Sequence, residues 1–145
     1  MVKEGRKMPS RGVRNNNPLN IRYGSNWDGM VKNSKELDRS FCVFKHPKFG
    51  IRAGAKLFLN YKRFYGIDTI RGIIDRFALP EENDTTAYIE DVCKRIGKTR
   101  EESLDLYNGE IMLSLLKAVI RHENGYNPYS DEEIKAGMLL AGITV

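Results

Sequence analysis

Ala118-Val119-Ile120-Arg121-His122-Glu123-Asn124-Gly125-Tyr126-Asn127-Pro128, close to the C-terminus, is the stretch from which the rest of the chain is read. An apolar pattern runs into it through Ile111, Leu113, Leu115, Leu116, Val119 and Ile120, which predicts a helix from about Gly109 to Glu123, stopped by Asn124-Gly125. Leu116, Val119 and Ile120 precede Glu123 by seven, four and three residues, so the carboxylate projects from the face that buries the helix. A helix C-terminus carries about half a negative charge, which disfavours a further negative charge there. Partial burial acts in the same direction, and both favour the protonated carboxyl. A carboxyl kept protonated near neutral pH is what a glycosidase asks of its general acid. The competing reading is a helix-end glutamate paired with a neighbouring Arg or Lys. His122 points about 100° away around the helix and is not an obvious partner.

The other unusual stretch lies at the opposite end of the chain, Arg14-Asn15-Asn16-Asn17-Pro18-Leu19-Asn20-Ile21-Arg22-Tyr23. Asparagines this dense do not make helix interior, because their side chains compete for backbone hydrogen bonds. Two readings stand: a turn-rich loop leading into a strand at Asn20–Tyr23, or amides presented to the hydroxyls and N-acetyl groups of a sugar. Trp27 follows in a Gly-Ser-Asn-Trp-Asp-Gly turn and reads as core ahead of platform. Short strands are predicted near Met30-Val31 and at Phe41–Phe44, with a polar loop from Lys32 to Ser40 between them, giving a hairpin or three-stranded sheet.

Helices are predicted from Pro47 to about Tyr65, from Ile70 to Phe77, from Thr85 to Ile96, over the stretch ending at Glu123, and from the Ser130-Asp131-Glu132-Glu133 capping box to about Leu140. The fold class expected is α+β, mainly α, with about five helices and a small antiparallel sheet. Residues 1–13 read as a flexible basic leader and residues 14–145 as one domain.

With 145 residues, 41% hydrophobic and 30% charged, the chain can bury one real core. It holds no apolar run of about 18 residues that would span a membrane, and no stable membrane insertion is expected. The start of the chain is basic but lacks the apolar block of a secretory signal. Cys42 and Cys93 read as reduced core thiols. A formal charge of +5 favours an anionic partner, nucleic acid or bacterial cell wall, unless it is only a solvated basic surface. His46 and His122 do not support a metal site, and neither a nucleotide motif nor a Ser-His-Asp arrangement is visible, so no cofactor or metal is expected.

Arg14 to Arg22, taken with Glu123-Asn124-Gly125, resembles the lysozyme-like muralytic proteins of bacteriophage virions, which carry an Arg-Asn-Asn-Asn-Pro-Gly-Asn-Ile-Arg type motif near their start. Leu19 stands where that family usually has Gly. The likeness extends through Phe41–Phe44, Gly50-Ile51-Arg52-Ala53, Glu82-Asn83-Asp84-Thr85 with Tyr88, and Ile120 to Tyr129. A looser likeness is to cell-wall glucosaminidases and lytic transglycosylases of the lysozyme superfamily, with similar pieces in a different, permuted order. The resemblance implies a lysozyme-like fold in which Glu123 and the Asn15–Tyr23 loop line one cleft.

It further implies cleavage of peptidoglycan at the β-1,4 bond between N-acetylmuramic acid and N-acetylglucosamine, by a muramidase or a lytic transglycosylase, in phage entry or host lysis. Glu123 would be the general acid. Asn16, Asn17, Asn20 and Tyr23 would bind N-acetyl groups and ring hydroxyls, and Tyr88 would orient the acid or the sugar unless it is core. Asp84 is the candidate second carboxylate, with Glu82 and Asp91 behind it and an N-cap role competing for Asp84. The partners implied are peptidoglycan and other virion proteins, not nucleic acid. Synthesis in the host cytoplasm, with action in the periplasm or cell wall, follows from the same resemblance. Two other classes compete: a non-catalytic virion or wall-binding module, and a nucleic-acid-binding helical domain.

Overall fold

A computed structural model of the protein describes residues 9–81 and 83–144. Among these residues the chain forms seven α-helices: α1 (Arg11–Arg14), α2 (Ser34–Leu37), α3 (Pro47–Tyr65), α4 (Ile70–Phe77), α5 (Thr85–Ile96), α6 (Gly109–Asn124) and α7 (Asp131–Leu140). The five long helices start and stop where local chemistry directs. Pro47 opens α3 at its first turn, and the Thr69, Asp84 and Asn108 side chains accept first-turn amides of α4, α5 and α6. Ser130 and Glu133 make a reciprocal capping box on α7. Gly66, Gly97 and Gly125 close α3, α5 and α6 in the left-handed conformation.

The apolar face of α6 forms the centre of the core, with Met112, Leu115, Leu116, Val119 and Ile120 fully buried. Each such side chain contributes about 1.5–3 kcal/mol of hydrophobic stabilisation. Helix α5 packs on α6 and α4, while α3 lies along α7. The α3–α7 approach is close because Gly137 faces Ile51: a Cβ there would sit 2.6 Å from Ile51 Cγ2.

The expected small antiparallel sheet, and with it the α+β class, is corrected by the structure, while the mainly α expectation fits: among the described residues there is no strand. The segments predicted as strands meet only through isolated antiparallel bridges, Arg22 with Phe41 and Met30 with Phe44. The physical reason is that side chains take a share of the ladder's hydrogen bonds and leave only scattered backbone ones, such as Cys42 N to the Ile21 carbonyl and Val31 N to the Val43 carbonyl. Asn17 Nδ2 donates to the carbonyls of Ile21 and Cys42 at 3.0 and 2.9 Å, and its Oδ1 accepts from Ile21 N at 3.0 Å. Ser34 Oγ accepts from Val43 N at 2.8 Å, and Asn16 Nδ2 donates to the Phe44 carbonyl at 3.0 Å. These backbone groups are satisfied without a neighbouring strand.

Residues 1–8 of the predicted leader lie outside the described residues, but Ser10 caps α1 and Arg11 forms a two-pronged ion pair with Asp38, both contacts at 2.7 Å. Asp38 additionally accepts from Asn15 Nδ2 and from the amides of Ser40 and Phe41. Its carboxyl is held well below the ordinary carboxylate range, chiefly by Arg11. The start of the described chain is therefore fastened to the asparagine loop.

Candidate active site

Glu123 occupies the last turn of α6, and both of its oxygens accept short hydrogen bonds from other parts of the chain. Asn20 Nδ2 donates to Oε1 at 2.8 Å, and the Tyr88 hydroxyl donates to Oε2 at 2.7 Å. Burial raises the Glu123 pKa above that of an ordinary glutamate; the Asn20 and Tyr88 donors, then His122 and Arg22, pull the other way without cancelling it. The Asn20 amide and the Tyr88 hydroxyl that hold this carboxylate are both neutral donors.

The carboxyl group lies on the wall of an open cleft of about 310 Å³. Asn20, Arg22, Tyr23 and Trp27 come from the asparagine loop and the turn after it, and Tyr61, Phe77 and Leu79 from the ends of α3 and α4. Aromatic faces beside amide and guanidinium groups suit a ring that is apolar above and below and hydroxylated at its edge. Trp27, read from sequence as core, is only partly buried and belongs to this wall. The Arg22 guanidinium stacks over Phe41, 4.6 Å from the ring centroid.

The asparagines divide into two groups. Asn20 faces the cleft and holds the acid. Asn16 and Asn17, expected to bind sugar, instead hold the loop: Asn17 is fully buried with both ends of its amide used on backbone, and Asn16 is bonded to Phe44. Neither lines the cleft. Asn16 and Asn20 both adopt φ of 53°, the left-handed region that Asn tolerates better than most residues. Leu19, at the position usually glycine in the resembling family, is fully buried and packs over Gly54, where a Cβ would come within 2.5 Å of it. The Tyr23 ring lines the cleft, while its hydroxyl is bonded to Ser34 Oγ and the Asp38 carbonyl, both at 2.7 Å.

Tyr88 is fully buried, yet its hydroxyl ends on the acid, so the core and orienting readings hold together. His122, read from the helical wheel as no obvious partner of Glu123, contacts α5. Its ring stacks on the Tyr88 ring with centroids 3.7 Å apart, and its Nδ1 bonds Asp91 Oδ2 at 2.8 Å. Asp84, expected as a second carboxylate, is exposed, accepts from Ala87 N as the α5 cap, and does not line the cleft. The same capping chemistry that made the N-cap reading sufficient accounts for it fully. Glu82 lies outside the described residues. Among the described residues lining the cleft, Glu123 is the sole carboxylate. No group of three or more His, Cys, Asp or Glu among the described residues could hold a metal ion.

Asn124, predicted only as part of the helix stop, ties the end of α6 to the start of the described chain. It accepts from Ser10 Oγ at 2.6 Å and donates to the carbonyls of Pro18 and Ile120, each at 2.8 Å. The residue after the acid thus clamps the asparagine loop against α6. A polar Asn on a helix's last turn carries no local mark of such a partner; only the tertiary fold supplies it.

No family model matches the sequence. The chain is similar to protein P5 of Pseudoalteromonas phage PM2, with 46% identity over 132 residues that cover 88% of this chain and 79% of that protein.

Proposed function

Because the chain belongs to the family of protein P5 of Pseudoalteromonas phage PM2, a bacteriophage family, we propose a phage role for it: cleavage of the glycan strands of peptidoglycan, with Glu123 as general acid. The observation that carries the reading is one carboxyl, buried enough to hold its proton above the ordinary glutamate range, set by two neutral donors on the wall of an open aromatic cleft. The motif likeness to lysozyme-like muralytic proteins supports the same reading from the sequence side. The bond is the β-1,4 link between N-acetylmuramic acid and N-acetylglucosamine. Glu123 donates its proton to the leaving glycosidic oxygen, and Asn20 and Tyr88 then stabilise the carboxylate that remains. Trp27, Tyr23 and Arg22 offer the sugar ring its faces and edge contacts.

With Glu123 the sole carboxylate among the described cleft residues, capture of the oxocarbenium-like centre falls to water or to the muramyl 6-hydroxyl, activated by the same group. The protein acts in the periplasm or cell wall, delivered by the virion or released at lysis. No described helix is long and apolar enough to cross a membrane.

Clearing of purified peptidoglycan suspensions tests the reading. Wild type is expected to clear them, and Glu123→Gln to lose about a hundredfold to ten-thousandfold of the rate, the usual contribution of a positioned acid. Reducing ends in the products mean hydrolysis, and 1,6-anhydro ends mean transglycosylation. A wild type that sediments with peptidoglycan and leaves every strand intact sinks the enzymatic reading and makes the protein a wall-binding module.

A further inference from the structure

Behind the acid stands a second layer of chemistry, built from α5 and from the α6 residue just before Glu123. Asp91 uses both oxygens: Oδ1 accepts from Arg95 Nε at 2.9 Å, and Oδ2 meets His122 Nδ1 at 2.8 Å. Burial works to raise the Asp91 pKa, but the hydrogen bond from His122 and the charge of Arg95 outweigh it and hold the group below the ordinary range. An ionised carboxylate can only accept, so Nδ1 of His122 carries the proton and donates it. That fixes the plane of the imidazole. Its face lies on the phenol ring of Tyr88 at 3.7 Å and 23°, and the phenol hydroxyl ends 2.7 Å from Glu123 Oε2.

We propose that Asp91 and His122 are positioning residues for the acid, acting through Tyr88: the carboxylate fixes the imidazole, the stacked imidazole fixes the phenol ring, and the phenol hydroxyl fixes Glu123. The role of Glu123 as acid rests on the function proposed above; the mechanical coupling does not. Tyr88 sits on a helix that packs against the helix carrying the acid, so its ring needs a side support to aim one hydroxyl over so short a distance. His122 supplies it from the residue adjacent to the acid, so that support and acid move on the same backbone. The charged and titratable groups facing this assembly are Arg22 from the loop, Tyr88, Asp91 and Arg95 from α5, and His122 on α6 itself.

A double-mutant cycle on the full chain separates coupling through Tyr88 from a simple charge effect through space. The readout is the titration midpoint of the Glu123 carboxyl carbon, followed by NMR in protein labelled at glutamate. His122→Ala is expected to shift that midpoint in the wild-type background and to lose at least half of the shift, roughly, in the Tyr88→Phe background, since sites that share a partner do not add. Equal shifts in the two backgrounds overturn the proposal, because a field effect of the imidazole needs no phenol. Asp91→Ala, at a half-buried position, runs the same cycle should His122→Ala fail to fold.

Turnover adds an independent arm. His122→Ala is expected to lower kcat on peptidoglycan about tenfold with KM unchanged, the scale on which losing one ordered hydrogen bond acts. Asp91→Asn, which keeps an acceptor for Nδ1–H, is expected to restore most of the rate lost in Asp91→Ala. If wild type cleaves nothing while the cycle is non-additive, the coupling stands and the enzymatic reading falls. If wild type cleaves and the cycle is additive, the reverse holds.

Discussion

Glu123 loses water by burial and gains two hydrogen-bond donors, and the first effect is the larger, so its folded pKa lies above the ordinary value. In the unfolded chain a glutamate releases its proton at about pH 4.3. Between that pH and the folded pKa the native state binds more protons than the unfolded one, so stability falls as pH rises through this window. Above the folded pKa the slope vanishes but the loss persists. Glu123→Gln, which keeps the shape without the charge, is therefore expected to unfold at higher urea concentration than wild type at pH 7, with the advantage gone at pH 3. A urea-midpoint difference that is the same at both pH values would contradict the burial account. At this scale the position of Glu123 was legible, because an apolar helix face delivered it to a Gly stop. Which asparagine would touch it was not: Asn16, Asn17 and Asn20 have the same chemistry in the sequence. Their division into loop staples and site donor follows from which amides meet unsatisfied backbone carbonyls in the folded loop.

The long helices were readable because periodic apolar residues and end signals agree, and each of the five observed cores lies where those signals put it. The short elements were not, since four residues such as α1 and α2 are too few to show a period. Phe41–Phe44 misled for a related reason: an apolar run marks burial but not who bonds its backbone, and here side chains share it with scattered loop backbone groups. Helix α1 nonetheless has a strict requirement. A Cβ on Gly12 would lie 2.7 Å from Asn124 Oδ1, 2.8 Å from Asn20 Oδ1 and 2.9 Å from the Asn17 carbonyl, the first two being the clamp and the acid's donor. Asn20 Oδ1 is buried against this helix with no hydrogen-bond partner among the described residues, so the added methyl meets an oxygen with little room to retreat. Gly12→Ala is expected to cost about 1–3 kcal/mol, the usual range for overpacking a closed site, and to loosen Asn20 from Glu123. Denaturant unfolding reads the first effect. Loss of the Asn20 amide shift that accompanies Glu123 titration reads the second, and a variant as stable as wild type would show that α1 can slide away.

Across the whole molecule the site is a closure of the chain on itself. Ser10 to Asn124, Pro18 to Asn124 and Asn20 to Glu123 bridge 114, 106 and 103 residues, and these contacts bring the start of the described chain onto the end of α6. No local pattern encodes such a meeting, which is why only the resemblance of the two distant motifs to lysozyme-like proteins suggested it. The separation also has a kinetic consequence. Closing so long a loop costs entropy before the contacts return anything, whereas α4 with α5, and α5 with α6, pack as near neighbours in sequence and condense at lower entropic cost. The clamp at Asn124 therefore forms late, after the transition state for folding. Asn124→Ala removes three hydrogen bonds, and its net cost of about 1–3 kcal/mol for partners left unpaired should fall almost wholly on unfolding. The unfolding limb of the chevron is then raised roughly five- to a hundredfold while the folding limb stays within about twofold of wild type. Stopped-flow mixing in urea measures both limbs, and a folding rate that drops by the larger factor would place the closure in the nucleus instead.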